Sequence, residues 1–269
     1  MRQLLGLLTA AMIAAMPGMA LAAAAGSALG VDPAADAALN NETRTLVVGS
    51  DIFIGDLVQT GPRGQVQIMF ADNTELVVGP SSALLIEDYL LRNDGSAGKL
   101  AVDMLSGAFR FSTGDSAKSR YVIGTPTGTI GVRGTDFDVS VARANEPNPG
   151  STWILLYDGA IQFCNTGNVC EIISNFCEVG HMTDADSEVI GDARKTKGEL
   201  RAQLQGDFIY AMNQNPLLRE FWFRQARDCL TKKPDEAPEP LFPEDQPPPA
   251  PKPTDPKPCV GRNCPGVIL

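Results

Sequence analysis

The sequence predicts a mainly β protein: a compact β-solenoid-like or sandwich-like domain, then a short helical segment and a proline-rich tail. Three observations carry that reading. From Asn41 to about Phe163, apolar and polar residues alternate in short runs, the period of a half-buried strand. Turn formers at Gly61-Pro62, Asp72-Asn73, Asn93-Asp94-Gly95 and Asp158-Gly159 separate these runs at roughly ten-residue spacing. And 12 of the 20 prolines lie in the last 39 residues, a composition that cannot bury a core.

In chain order, Arg2 is followed by an apolar run from Leu4 to Ala15, then Pro17 and Ala20-Leu21-Ala22. This is the layout of an export signal, with cleavage expected after Ala22 and a retained anchor as the competing reading. Residues 1–22 are therefore read as a signal peptide and residues 23–42 as a linker, with the β domain spanning 43–163. Within it, Val66, Ile68 and Phe70 point one way and Gln65, Gln67 and Met69 the other. Phe109 with Phe111, Tyr121 with Ile123, Ile130 with Val132, and Phe137, Val139 and Val141 form further same-face sets. Residues 164–195 read as a disulfide-bearing β extension. In the helical segment, 196–230, Leu200, Leu204, Phe208 and Met212 recur every four residues on one helix face. Asn215-Pro216 interrupts it before a second helical stretch over about 217–230, where Phe221, Trp222 and Phe223 are expected to pack on the β domain. The tail, 231–269, reads as a disordered or polyproline-type spacer.

The chain has a net charge of −10 and no basic stripe, which excludes phosphate-backbone binding. Its six cysteines, Cys164, Cys170, Cys177, Cys229, Cys259 and Cys264, all fall in the C-terminal half. In an exported chain an even count implies disulfides. Cys164 and Cys170 flank the turn composition Asn165-Thr166-Gly167-Asn168 and are expected to face each other across a hairpin. Cys259 and Cys264 are placed to close a small loop, and elimination pairs Cys177 with Cys229, although spacing alone leaves connectivity open. A zinc site is disfavoured because no C-x-x-C pair occurs and His181 is the single histidine. No nucleophile motif accompanies that histidine, and neither Glu87 with Asp88 nor Asp184 with Asp186 is more than a pair of neighbouring carboxylates. The expectation is a protein without catalytic residues, cofactor or metal requirement.

Two ordered blocks add a more specific reading. The first runs through Val48-Gly49-Ser50, Gly55-Asp56-Leu57-Val58-Gln59-Thr60-Gly61, Gly64-Gln65-Val66-Gln67-Ile68-Met69-Phe70, Ala71-Asp72-Asn73-Thr74-Glu75-Leu76 and Val78-Gly79-Pro80-Ser81-Ser82. The second is Gly107-Ala108-Phe109-Arg110-Phe111 followed by Ile123-Gly124-Thr125-Pro126-Thr127-Gly128-Thr129-Ile130-Gly131-Val132-Arg133-Gly134-Thr135-Asp136-Phe137. Together they resemble the FecR domain family of bacterial envelope proteins over about residues 46–140. The resemblance implies a β fold and a role in envelope sensing or signal transduction through protein contacts. Its motif residues here are Gly55, Asp56, Thr60, Gly61, Asp72, Pro80, Pro126, Arg133, Gly134, Thr135 and Phe137. Most look architectural; Arg133 is expected to pair internally with Asp56, Asp72 or Asp136. Because only a signal peptide precedes the domain, direct sigma-factor contact is not expected. The chain is expected to be periplasmic or secreted after cleavage, with an envelope protein as its partner and peptidoglycan or another glycan as the alternative.

Overall fold

The computed structural model describes residues 24–91, 97–115 and 121–231. The chain divides into two compact units, Met1–Pro234 and Asp235–Leu269, and all described residues lie in the first. The expected signal peptide, the proline-rich tail and the Cys259–Cys264 loop fall outside the described residues. Among those residues no helix is long and apolar enough to cross a membrane.

Fifteen strands among the described residues share one hydrogen-bonded sheet. They are β1 (Ala24–Asp32), β2 (Ala35–Leu39), β3 (Glu42–Leu46), β4 (Asp51–Phe53), β5 (Leu57–Thr60), β6 (Gln65–Phe70), β7 (Glu75–Val78) and β8 (Ala83–Leu91). The long strands β9 (Ala97–Ser112), β11 (Gly128–Val141) and β12 (Thr152–Asn165) follow, with β10 (Tyr121–Thr125) between the first two. The last are β13 (Cys170–Ile173), β14 (Glu178–Met182) and β15 (Ser187–Asp192). Each long strand serves two sets of neighbours. The first part of β9 pairs with β8 and, in parallel, with β10, while its end pairs with β7 and β11. Likewise β12 meets β14 along its first half and β13 along its second.

The change of partner requires a bend, and glycine supplies it. The β11–β12 register shifts between Arg133 and Asp136. There Gly134 has φ +62° and Gly159 has φ +84°, and a Cβ on Gly159 would lie 2.0 Å from the Gly134 carbonyl oxygen. Only residues without a Cβ allow this approach. The bent strands enclose one core that includes Val66, Ile68, Phe70, Phe109, Phe111, Phe137, Val139 and Phe163. Rings meet inside it: Phe70 of β6 lies 5.7 Å from Tyr89 of β8, a strand with which β6 does not pair, and Phe111 near the end of β9 lies 5.9 Å from Tyr121 of β10.

The described part of the expected linker, residues 24–42, is built into the sheet. β1 lies between β4 and β6, and β2 lies between β3 and β5. Its small residues are small because they are crowded: Ala28 and Ala37 are fully buried, and a Cβ on Gly26 would stand 2.5 Å from the Met69 carbonyl oxygen. Asn40 and Asn41, both at positive φ, make the two-residue turn between β2 and β3.

The helical segment comprises α1 (Gly198–Asp207), α2 (Ile209–Met212) and α3 (Ala226–Leu230), with 3-10 turns at Ala193–Lys195 and Arg219–Phe221. Leu200, Leu204, Phe208 and Met212 do share a buried cluster, but the helix breaks at Phe208. The second expected helix, 217–230, is mostly extended or turned. Phe221 and Phe223 enter two separate clusters on the outer face of the sheet, and a continuous helix could not deliver both. Residues 208–223 thus form a strap across the outer faces of β6, β9 and β11. Gln65 donates to the Pro216 carbonyl (2.8 Å), the Leu218 N–H donates to Gln67 (2.7 Å), and Tyr210 donates to Gln65 (3.2 Å). The polar face of β6 is therefore buried beneath the strap. A disulfide, Cys177–Cys229, ties α3, which follows the strap, to the residue before β14, and Cys164–Cys170 bridges β12 and β13.

Candidate functional site

The motif residues divide by burial. Asp56 is fully buried, accepts from the Phe53 N–H (2.7 Å) and is held by Arg44 (2.7 Å), so it fixes the turn between β4 and β5. Gly55 makes that turn at φ +87°. Thr60 accepts from the Ser82 N–H (2.9 Å) and donates to the Gly79 carbonyl (2.5 Å), locking the connection through Pro80. The Gly61 carbonyl accepts from the N–H groups of Gly64 and Ser81. Asp72 accepts from the Thr74 N–H and the Tyr121 hydroxyl (2.9 Å), joining β10 to the β6–β7 turn. Thr135 is buried beside the bend, Phe137 is in the core, and exposed Pro126 packs against Gly150.

Arg133 is different. The expected internal pairing does not form, because its three candidate carboxylates are engaged elsewhere. Asp56 holds Arg44, Asp72 holds Tyr121, and Asp136 accepts from Ser112 (2.6 Å). Strand alternation points Arg133 outward, and it is exposed. Among the described residues no ion pair involves it. It lines a shallow depression of about 440 Å³ on the outer face of β10–β13. Register explains the shape: Val122, Gly131, Gln162 and Ile172 stand in one row across four strands, and Arg133 faces Ala160 in the next. Gly131 and Ala160 give a low floor, flanked by Val122 and Ile172, which are 43% and 60% exposed. The guanidinium of Arg133 thus stands beside exposed apolar side chains.

The buried ion pair that sequence reasoning missed is Arg110–Asp138. Arg110 donates to both carboxylate oxygens of Asp138 (2.7 and 2.9 Å) and to Gln214, under the ring of Phe223 at 4.3 Å. Tyr157 donates to the same carboxylate (2.6 Å). Burial opposes the charge on Arg110, yet Asp138 more than offsets this and holds its pKa raised. Residues 107–111 carry the only signal, a charge between two core phenylalanines.

The remaining candidates do not assemble. Asp88 pairs with Lys99, whereas Glu87 approaches Asp103, whose carboxyl burial and Glu87 push upward. His181 stacks on Trp153 and bonds Glu188 (3.0 Å). Among the described residues no three His, Cys, Asp or Glu side chains cluster as metal ligands would.

Residues 56–162, from the buried Asp56 to Gln162 beside the depression, match the family described as FecR protein. The chain carries a FecR domain. Around it, β1–β4 precede the matched FecR residues and the strap follows them. Two crystal structures of a candidate anti-sigma factor from Parabacteroides distasonis are similar to the chain, at 14% and 11% identity, each with a TM-score of 0.40. The similarity covers 56% and 55% of this chain, and 65% and 63% of theirs, so the chain spans just under two thirds of those relatives. No curated protein matches it.

Proposed function

We propose that this is an exported, non-enzymatic FecR-domain protein that acts as a regulatory or sensing module through protein contacts in the bacterial envelope. The observation that carries the reading is Arg133, which forms no ion pair among the described residues and stands exposed beside the row of Val122 and Ile172, while the charged motif residues Asp56 and Asp72 are buried. The two disulfides support an oxidising compartment, and the FecR match supports a regulatory role. A photo-crosslinking residue at position 172, in the full chain expressed in its own cells, tests this. One discrete adduct is expected, absent when the label is moved to exposed Glu42 and reduced by Arg133→Glu. Adduct formation that ignores both changes would overturn the assignment of this face.

A further inference from the structure

A second concavity lies on a different part of the molecule. The groove, about 540 Å³, separates α1 from the loop between β11 and β12, within the roughly 300–1,000 Å³ common for ligand sites. Its walls differ in chemistry. On the sheet side Trp153 and His181 stack with ring centroids 3.9 Å apart and planes 21° from parallel. Register sets this pair, since Trp153 of β12 stands opposite His181 of β14. Glu188 bonds the imidazole at 3.0 Å and fixes the stack. Facing it, α1 presents Glu199, Gln203 and Asp207, one helical stripe with exposed Ala202 between them. Asn148 and Ser151 close the far end.

The polar groups are mostly acceptors and amides, with neutral hydroxyls beside them. The nearby cation, Arg143, is spent on Glu146 (2.6 Å) and on the carbonyls of Pro80 and Ser81. An anionic ligand would meet the carboxylates of Glu199 and Asp207 here, with Arg143 already committed to Glu146 as the compensating charge. Asp207 shows that strain: burial pushes its carboxyl up and Glu146 adds repulsion, while the Gln203 and Ser140 hydrogen bonds and the charge of Arg143 act the other way. A flat aromatic block opposite planar amide and carboxylate groups suits a ring with apolar C–H faces and many hydroxyl donors.

We infer that the groove between α1 and the Trp153–His181 stack is a binding site for a neutral oligosaccharide, including N-acetylated sugars. This adds a ligand to the protein-contact reading and does not depend on it, since no residue of the Arg133 depression takes part. The test is calorimetric titration of the full exported chain with the tetramer of N-acetylglucosamine and with cellotetraose, using tetragalacturonate and spermidine as comparators. At least one neutral tetramer is expected to bind. Gln203→Ala should weaken it about tenfold, the effect of losing one hydrogen-bonding side chain, and Ala202→Trp should abolish it by filling the groove. Ala202 is exposed on α1, so urea unfolding should be unchanged in Ala202→Trp and a folding defect is separable from lost binding. Arg133→Glu should leave the titration as it is. Failure of both neutral tetramers, tighter binding of tetragalacturonate or spermidine, or indifference to Ala202→Trp would overturn the inference.

Discussion

Arg110 sits between Phe109 and Phe111, and because those rings fill the core, alternation turns its guanidinium to the opposite face. The strap makes that face interior as well, leaving Arg110 and Asp138 each 2% exposed. Removing one member of such a pair leaves a buried charge without compensation, at a cost of about 3–5 kcal/mol. Asp138→Ala should lower the urea midpoint accordingly, and exposed Arg133→Ala should scarcely move it. Glu75 makes a second prediction. Burial first, then Asp136 and Glu220, pushes its carboxyl from 4.5 up to about 7. The folded state therefore binds the proton more tightly than the unfolded chain. This contribution is fully present below about pH 4.5 and fades as pH rises through about 7. The neighbouring Asp136 is raised as well, mainly by burial, and acts in the same sense. Glu75→Gln should flatten the decline in stability between about pH 5 and about pH 8, measured by urea unfolding at each pH. An unchanged slope would mean that other groups set it.

At the scale of elements, the two disulfides differ in the chain they close. Cys164–Cys170 spans 6 residues and Cys177–Cys229 spans 52. In the chain-entropy account these loops contribute roughly 2 and about 4 kcal/mol. Cys229→Ala should therefore cost more than Cys170→Ala in thermal unfolding, and equal losses would show that loop length does not set what each bridge contributes. The hairpin around Asn165-Thr166-Gly167-Asn168 was legible because its turn chemistry and its cysteines lie within a few residues of each other. The inward set Val66, Ile68 and Phe70 was legible for the same reason, since a period of two is local. β1 and β2 were not: alanines and glycines read as a flexible connection until Phe70 and the Met69 carbonyl are placed against them. The Asn40-Asn41 turn was the signal available there. That Gln65 and Gln67 point away from the inward set was legible too, but what covers them was not, because the covering groups come from Pro216 and Leu218, 151 residues later.

Across the whole molecule, FecR match and folded body do not coincide. Residues 56–162 end within β12, while the sheet begins at Ala24 and α3, beyond the strap, reaches Leu230. A fragment ending near Asp158 would cut β12 in the middle and remove β13–β15 along with the strap, so it would expose the outer face rather than isolate a working domain. Arg133 became interpretable only at this scale: pairing was the natural expectation for a motif arginine, and three separate contacts elsewhere in the sheet leave it without one. The strap also sets an order of events. Arg110 waits for Gln214, 104 residues further along, and Cys177 for Cys229. In a chain delivered N-terminus first, the sheet can pair strand by strand as it emerges, but its outer surface stays wet and its central arginine incompletely solvated by protein until the last described helix arrives. Completion of the fold is thereby tied to completion of delivery, and a chain arrested midway presents an open, adhesive face where the finished molecule has a closed one.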